Sequence, residues 1–198
     1  MNSPISNLKS QINKRPLRVG FDLDGVLLYN PARIARHPIT IVKRLFFPKR
    51  LHTFYVPQSE IEKLMWRVFH WSSLFIAPGF NQIKEMSHKG LIEPYIVTAR
   101  FDFLEPDFNT WIRRMRINDS FKGIYLNKQN QQPHIFKEQI VKELKLDIFV
   151  EDNWDIIQHL TQTTKAKTFW IYNIFDRGIQ YEYKFPTLKK AVEKIKSY

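Results

Sequence analysis

The chain has 198 residues, no cysteine and a formal net charge of +12. That length holds one domain, or a core with a modest insertion. The absence of cysteine excludes disulfides, thiolate metal sites and a Cys nucleophile. Hydrophobic residues make up 43% and aromatics 15%, enough for a packed core, and 11 Pro with 6 Gly indicate neither a fibrous nor a disordered chain. No apolar run is long enough for a membrane span, and residues 1–16 show no apolar leader, so a cytoplasmic setting is expected.

The charge is unevenly placed. Residues 1–59 hold ten Lys and Arg but only two acids, Asp22 and Asp24. Between residues 25 and 59 there is no acid against Arg33, Arg36, Lys43, Arg44, Lys49 and Arg50. A surface of one sign attracts polyanions; the alternative is a lysine-rich composition with no specific partner.

In chain order, Leu17 to Leu23 (LRVGFDL) is an apolar run ending in acids and Gly25, the pattern of a buried strand with a loop at its carboxyl end. Similar runs occur at Tyr95 to Thr98, Ile124 to Leu126, Ile148 to Val150 and Thr168 to Tyr172. Helical spacing separates them, at Phe80 to His88, Asp107 to Ile117, Ile135 to Leu144, Trp154 to Leu160 and Leu188 to Ile195. Alternating strands and helices predict a three-layer α/β sandwich around a parallel, Rossmann-like sheet of about five strands.

The connection from the first strand to Phe80 is far longer than one crossover needs. Within it, Gln58 to Phe75 is an amphipathic helix with Ile61, Leu64, Met65, Val68, Phe69 and Ser72 on one face. Residues 30–57 are punctuated by Pro31, Pro38, Pro48 and Pro57, which favours short helices and turns. The organisation expected is a core of residues 1–27 and 78–198 with a small helical cap, residues 28–77, inserted after the first strand. Such a cap sits over the carboxyl edge of the sheet, where open α/β sheets bind ligands.

Asp22 and Asp24 lie two residues apart just past a strand and project from one side of a loop. A lone Asp-x-Asp also serves as a turn cap or a metal site in unrelated enzymes. Its position after an apolar strand and before Gly25-Val26-Leu27 is more specific, because two acids buried at a strand end are costly without a cation.

DLDGVL resembles the first motif of the haloacid-dehalogenase (HAD) phosphohydrolase superfamily, and three later segments match in order. Ile96-Val97-Thr98-Ala99-Arg100 resembles the second motif, Lys137 is placed like the third-motif lysine, and Phe149-Val150-Glu151-Asp152-Asn153 resembles the fourth. The VTAR form and the position of the cap are most similar to the branch containing the 5′(3′)-deoxyribonucleotidases. The resemblance implies a phosphatase with Asp22 as nucleophile and Asp24 as general acid and base. It implies Mg²⁺ held by Asp22, Asp152 and the Asp24 main-chain carbonyl, with Glu151 behind them, and phosphate bound by Thr98 and Lys137 with Ala99 and Arg100. A small phosphorylated substrate, a nucleotide first, follows.

Several positions stay open at this level. Thr98 also suits a strand end, Lys128 rivals Lys137, and Asp155 is either a site residue or a helix-start acid. Arg100 either touches substrate or braces the cap. Cap aromatics such as Phe46, Phe47, Phe54, Tyr55 and Trp66 either stack on a base or fill the cap's own core. The basic third, with Arg113, Arg114 and Arg116, suits a phosphatase of nucleic-acid ends or a non-catalytic nucleic-acid-binding module. Residues 39–51 (ITIVKRLFFPKRL) interleave apolar and basic side chains as a membrane-surface segment does, which is the weaker reading because of Pro48. Oligomeric state is not legible.

Overall fold

The computed structural model describes residues 15–29, 55–71, 75–117 and 120–198. Strand β1 (Leu17–Phe21) is followed by the short strand β2 (Leu28–Tyr29), helix α1 (Glu60–Trp71) and strand β3 (Phe75–Ile76). Then come α2 (Phe80–His88), β4 (Ile92–Phe101), α3 (Glu105–Met115), β5 (Gly123–Asn127) and α4 (Pro133–Glu143). The chain closes with β6 (Ile148–Glu151), α5 (Trp154–Thr163), β7 (Lys167–Ile171), β8 (Lys184–Phe185) and α6 (Leu188–Ile195).

Six strands form a parallel sheet in the order β5-β4-β1-β6-β7-β8, one more than the apolar runs predict. The extra strand, β8, is two residues long at the sheet edge and too short to show a periodicity. Side-chain alternation along the strands divides the core between the two faces. Val19, Phe21, Ile96, Ile148 and Val150 pack with residues of α2, α3 and α6 on one face. Val97 and Phe149 pack with Phe136, Ile140, Ile156 and Leu160 of α4 and α5 on the other. Gly20 makes this second face possible, since a Cβ there would come within 2.6 Å of both Leu146 and Phe149.

At the carboxyl end of β1 the chain turns sharply through Gly25, whose φ of 83° suits glycine. Leu28 N donates to Leu23 O and Gly25 N to Leu28 O, both at 2.8 Å, and Val26, Leu27 and Leu28 are buried. The loop bearing Asp22 and Asp24 is thereby anchored on both sides. β2 and β3 pair antiparallel, Leu28 with Ile76 and Tyr29 with Phe75, so the two ends of the long insertion leave and re-enter the core side by side.

Of the insertion, α1 is a helix as its periodicity predicts, shorter at both ends than Gln58 to Phe75. Its apolar face is exposed: Ile61 is 73% accessible, Leu64 56%, Met65 68% and Val68 53%. The proline-punctuated stretch, the basic residues from Arg33 to Arg50, the segment 39–51 and Phe46, Phe47 and Phe54 lie outside the described residues. Arg113, Arg114 and Arg116 are exposed at the end of α3, with Arg114 over the Trp111 ring at 4.7 Å. Among the described residues no helix is long and apolar enough to cross a membrane.

Candidate active site

Parallel pairing places three strand ends together. Phe21 is in register with Ile96 of β4 and Val150 of β6, and Asp22 N donates to Val150 O at 3.0 Å. The next residues along each strand are therefore level: Asp22 and Asp24 from the first loop, Thr98 from β4, Glu151 and Asp152 from β6. All five are buried at the carboxyl edge, although they are polar or charged.

Lys137 joins them from α4. Pro133, Phe136, Lys137, Ile140 and Val141 form the buried stripe of that helix, so Lys137 holds a core position in its second turn rather than at the helix start. Its Nζ lies 3.1 Å from Asp22 Oδ1 and 2.5 Å from Glu151 Oε2. Lys128, the rival lysine, is on the surface and pairs with Glu105 at 2.8 Å.

Both Glu151 oxygens are engaged, Oε2 by Lys137 and Oε1 by the amides of Asp152 and Asn153, each at 3.0 Å. Asp22, Glu151 and Asp152 nonetheless place one oxygen each within 4.8 Å of one another. Glu151 is thus fixed by Lys137 and the backbone while standing among the acids close enough to hold an ion. Three carboxylates thus gather about the Lys137 ammonium in a buried site. That cluster and its all-oxygen donor set suit a hard divalent cation.

Arg100 binds the first loop. Its Nε and Nη2 donate to Asp24 Oδ2 and Oδ1, each at 2.7 Å, a bidentate pair in which the arginine is 3% accessible. Arg100 Nη1 is buried with no hydrogen-bond partner and is the one donor left for an incoming oxygen. Thr98 Oγ1 accepts from Arg100 N at 3.4 Å. Asp155 sits in the first turn of α5, where its amide donates to the capping Asn153 side chain at 2.9 Å. Trp170, which the sequence reading missed, pairs with Glu151 in the β6–β7 register and donates from Nε1 to Asp152 O at 3.2 Å. Its signal was a Trp in a fully buried strand, since a buried indole N–H needs an acceptor.

Burial pushes the Asp22 carboxyl from 3.8 up to about 6, with Lys137 opposing and Asp152 and Asp24 adding to the rise. Burial likewise pushes Glu151 from 4.5 up to about 8, again against Lys137. Burial works against the charged form of Lys137, but Asp22 and Glu151 outweigh it and hold the ammonium above its ordinary value. For acids raised in the folded state, the stabilising contribution is full below the unfolded value and is lost as pH rises through the folded one. The metal-free protein should therefore lose a few kcal/mol of stability between about pH 4 and pH 8. Added divalent cation, which binds the ionised acids, should stabilise increasingly over the same window. Thermal melts in EDTA and in Mg²⁺ across that range check both signs, and a flat metal-free profile would refute the upward shifts of Asp22 and Glu151.

No family model and no curated protein matches the sequence. Solved structures do. A candidate β-phosphoglucomutase from Thermotoga maritima superposes with a TM-score of 0.57 at 12% identity, over 91% of this chain and 99% of the other. CbbY from Rhodobacter sphaeroides, in complex with phosphate, gives 0.51 at 12% identity over 87% and 95%. A HAD-superfamily hydrolase from Ehrlichia chaffeensis gives 0.50 at 14% identity over 93% and 98%. At such identities the likeness speaks for architecture, and by that measure the chain has the α/β fold of the HAD hydrolases.

Proposed function

We propose that the chain is a Mg²⁺-dependent phosphohydrolase that cleaves a phosphate monoester through an aspartyl-phosphate on Asp22. The observation that carries this reading is the buried cluster of Asp22, Lys137, Glu151 and Asp152 at the edge of the sheet where ligands bind. The HAD-type fold and the phosphate held by CbbY agree with it. The cap expected from residues 28–77 would have the β2–β3 ribbon as its base.

In the first half-reaction an Asp22 oxygen forms a bond to phosphorus as the bond to the leaving oxygen breaks, and Asp24 supplies the proton that oxygen needs. In the second, Asp24 takes a proton from water as the water oxygen bonds to phosphorus and the bond to Asp22 breaks. Thr98, Lys137 and Ala99 bind the non-bridging oxygens, together with the remaining Arg100 Nη1. Mg²⁺ would be held by Asp22, Asp152 and the main-chain carbonyl of Asp24, and when bound lets a carboxylate and a phosphate approach without prohibitive repulsion.

Asp24 cannot donate a proton while Arg100 occupies both of its oxygens, so one of those bonds must open during turnover. Arg100 also senses the charge of Asp107, which holds Arg67 of α1 at 3.1 Å. Cap position and Asp24 are thus linked through alternating charges.

A nucleoside monophosphate is the first substrate to try, following the deoxyribonucleotidase-like motif form. The surplus of positive charge favours a phosphorylated nucleic-acid end as the second. The test is phosphate release from nucleoside monophosphates, sugar phosphates and 5′- or 3′-phosphorylated oligonucleotides, with Mg²⁺ and with EDTA. Metal-dependent release from one class establishes the reading and names the class. No release from any of them by folded, Mg²⁺-binding protein would sink it and favour a binding module.

A further inference from the structure

A second recess lies at the opposite edge of the sheet. It has a volume of about 670 Å³ and opens at the amino ends of β1, β6 and β7. That is within the range of small-ligand sites. The five residues of β1 separate it from Asp22 by about 15 Å, so it shares no residue with the candidate active site.

Its floor is apolar, built from Leu17, Val141, Leu146, Ile148 and Ala166, with Tyr198 at its border. Its rim is basic: Arg15, Lys142, Lys145, Lys165 and Lys167 against a single acid, Asp147. Two of these cations are already matched. Arg15 holds both Asp147 oxygens, at 2.7 and 2.9 Å, and Lys142 pairs with Glu138 at 2.5 Å. Lys167 lies over the Tyr198 ring at 4.3 Å. Lys145 and Lys165 are exposed and pair with no carboxylate among the described residues.

The bland role for such lysines is to offset the carboxyl ends of helices, and α4 and α5 both end here. Each helix end carries only about half a negative charge. Lys145, Lys165 and Lys167 exceed that sum, so the rim stays positive over a greasy floor. A ligand that matches both features carries an anionic phosphate together with an apolar face, as the ring face of a nucleobase provides.

We propose that this recess is a second ligand site, for a nucleoside monophosphate, with its base on the apolar floor and its phosphate between Lys145 and Lys165. The site is independent of the chemistry assigned to Asp22, and the two stand or fall separately.

The test is isothermal titration of AMP into the full chain carrying Asp22→Asn, in EDTA, which prevents turnover and removes metal-supported binding at the other edge. Saturable binding is expected, weakened tenfold or more by Lys145→Glu with Lys165→Glu and less by the neutral pair Lys145→Gln with Lys165→Gln. Adenosine and inorganic phosphate, each carrying half of the recognition, should bind much more weakly than AMP. The proposal is overturned if AMP does not bind, if the charge-reversed and parent chains bind it equally, or if inorganic phosphate alone binds as tightly. Melting curves of each variant separate lost binding from lost folding.

Discussion

Replacing Asp22 by Asn is expected to lower phosphate release by about 10⁴-fold or more, the scale on which loss of a nucleophile acts. The same change is expected to raise the stability of the metal-free protein. Those opposite signs come from one observation. Asp22 is buried beside Asp152 and within reach of the charge on Asp24, and Lys137 opposes the cost. The amide keeps the shape and can still accept from Lys137, while one buried negative charge is removed. Glu151 then has Lys137 to itself, at its present 2.5 Å. A variant that lost activity because it was misfolded would melt lower in EDTA. One that melts higher and is silent locates the loss at the chemistry. Mg²⁺ should stabilise the variant less than the parent, since a carboxylate ligand has become a neutral one. Phosphate release together with melts in EDTA and in Mg²⁺ read all three effects on one preparation.

Much of the sheet was legible because its strands are short apolar runs closed by turn residues. The helices α2 and α6 coincide with their periodic segments, and α3, α4 and α5 begin or end within about three residues of theirs. β4 was read too short. Its first half contains Pro94, which argues against a central strand, yet β5 pairs in register only from Tyr95 onward, and Pro94 meets that side through its carbonyl, which accepts from Lys122 N at 2.8 Å. The residues expected at the site stand at strand ends in the sequence, and parallel register brings those ends together. What was not legible is how they pair. Lys137 stands in the apolar stripe of α4, and a lysine there already signals a buried carboxylate partner. Arg100 lies two residues past Thr98 on the same side of its strand, which turns it toward the Asp24 loop. Its bond to Asp24 joins positions 76 apart in sequence, and no local pattern carries that.

Lys137→Met tests the same electrostatics from the other side and should be strongly destabilising. Methionine fills a comparable volume among Phe136, Ile140 and Phe149 on that face, so a packing void is not the cause. The cause is charge. Lys137 is 2% accessible and stands between Asp22 and Glu151, and without it both acids lose the ammonium they contact. Removing one partner of a buried ion pair costs about 3–5 kcal/mol. Part of that loss is avoided if the acids take up protons, so the deficit should grow as pH rises above the range in which Asp22 and Glu151 stay protonated. Mg²⁺ should recover some of it. Turnover should fall by about 10²–10³-fold even where the variant is folded, because Lys137 is the cation nearest the oxygens on which charge develops. Denaturant unfolding of parent and variant in EDTA and in Mg²⁺, at low and high pH, separates these effects. If Lys137→Met were as stable as the parent in EDTA at high pH, the acids would not be burdened as the burial implies. The stability gain expected of Asp22→Asn would then lose its basis, because both effects derive from the same burial of acids.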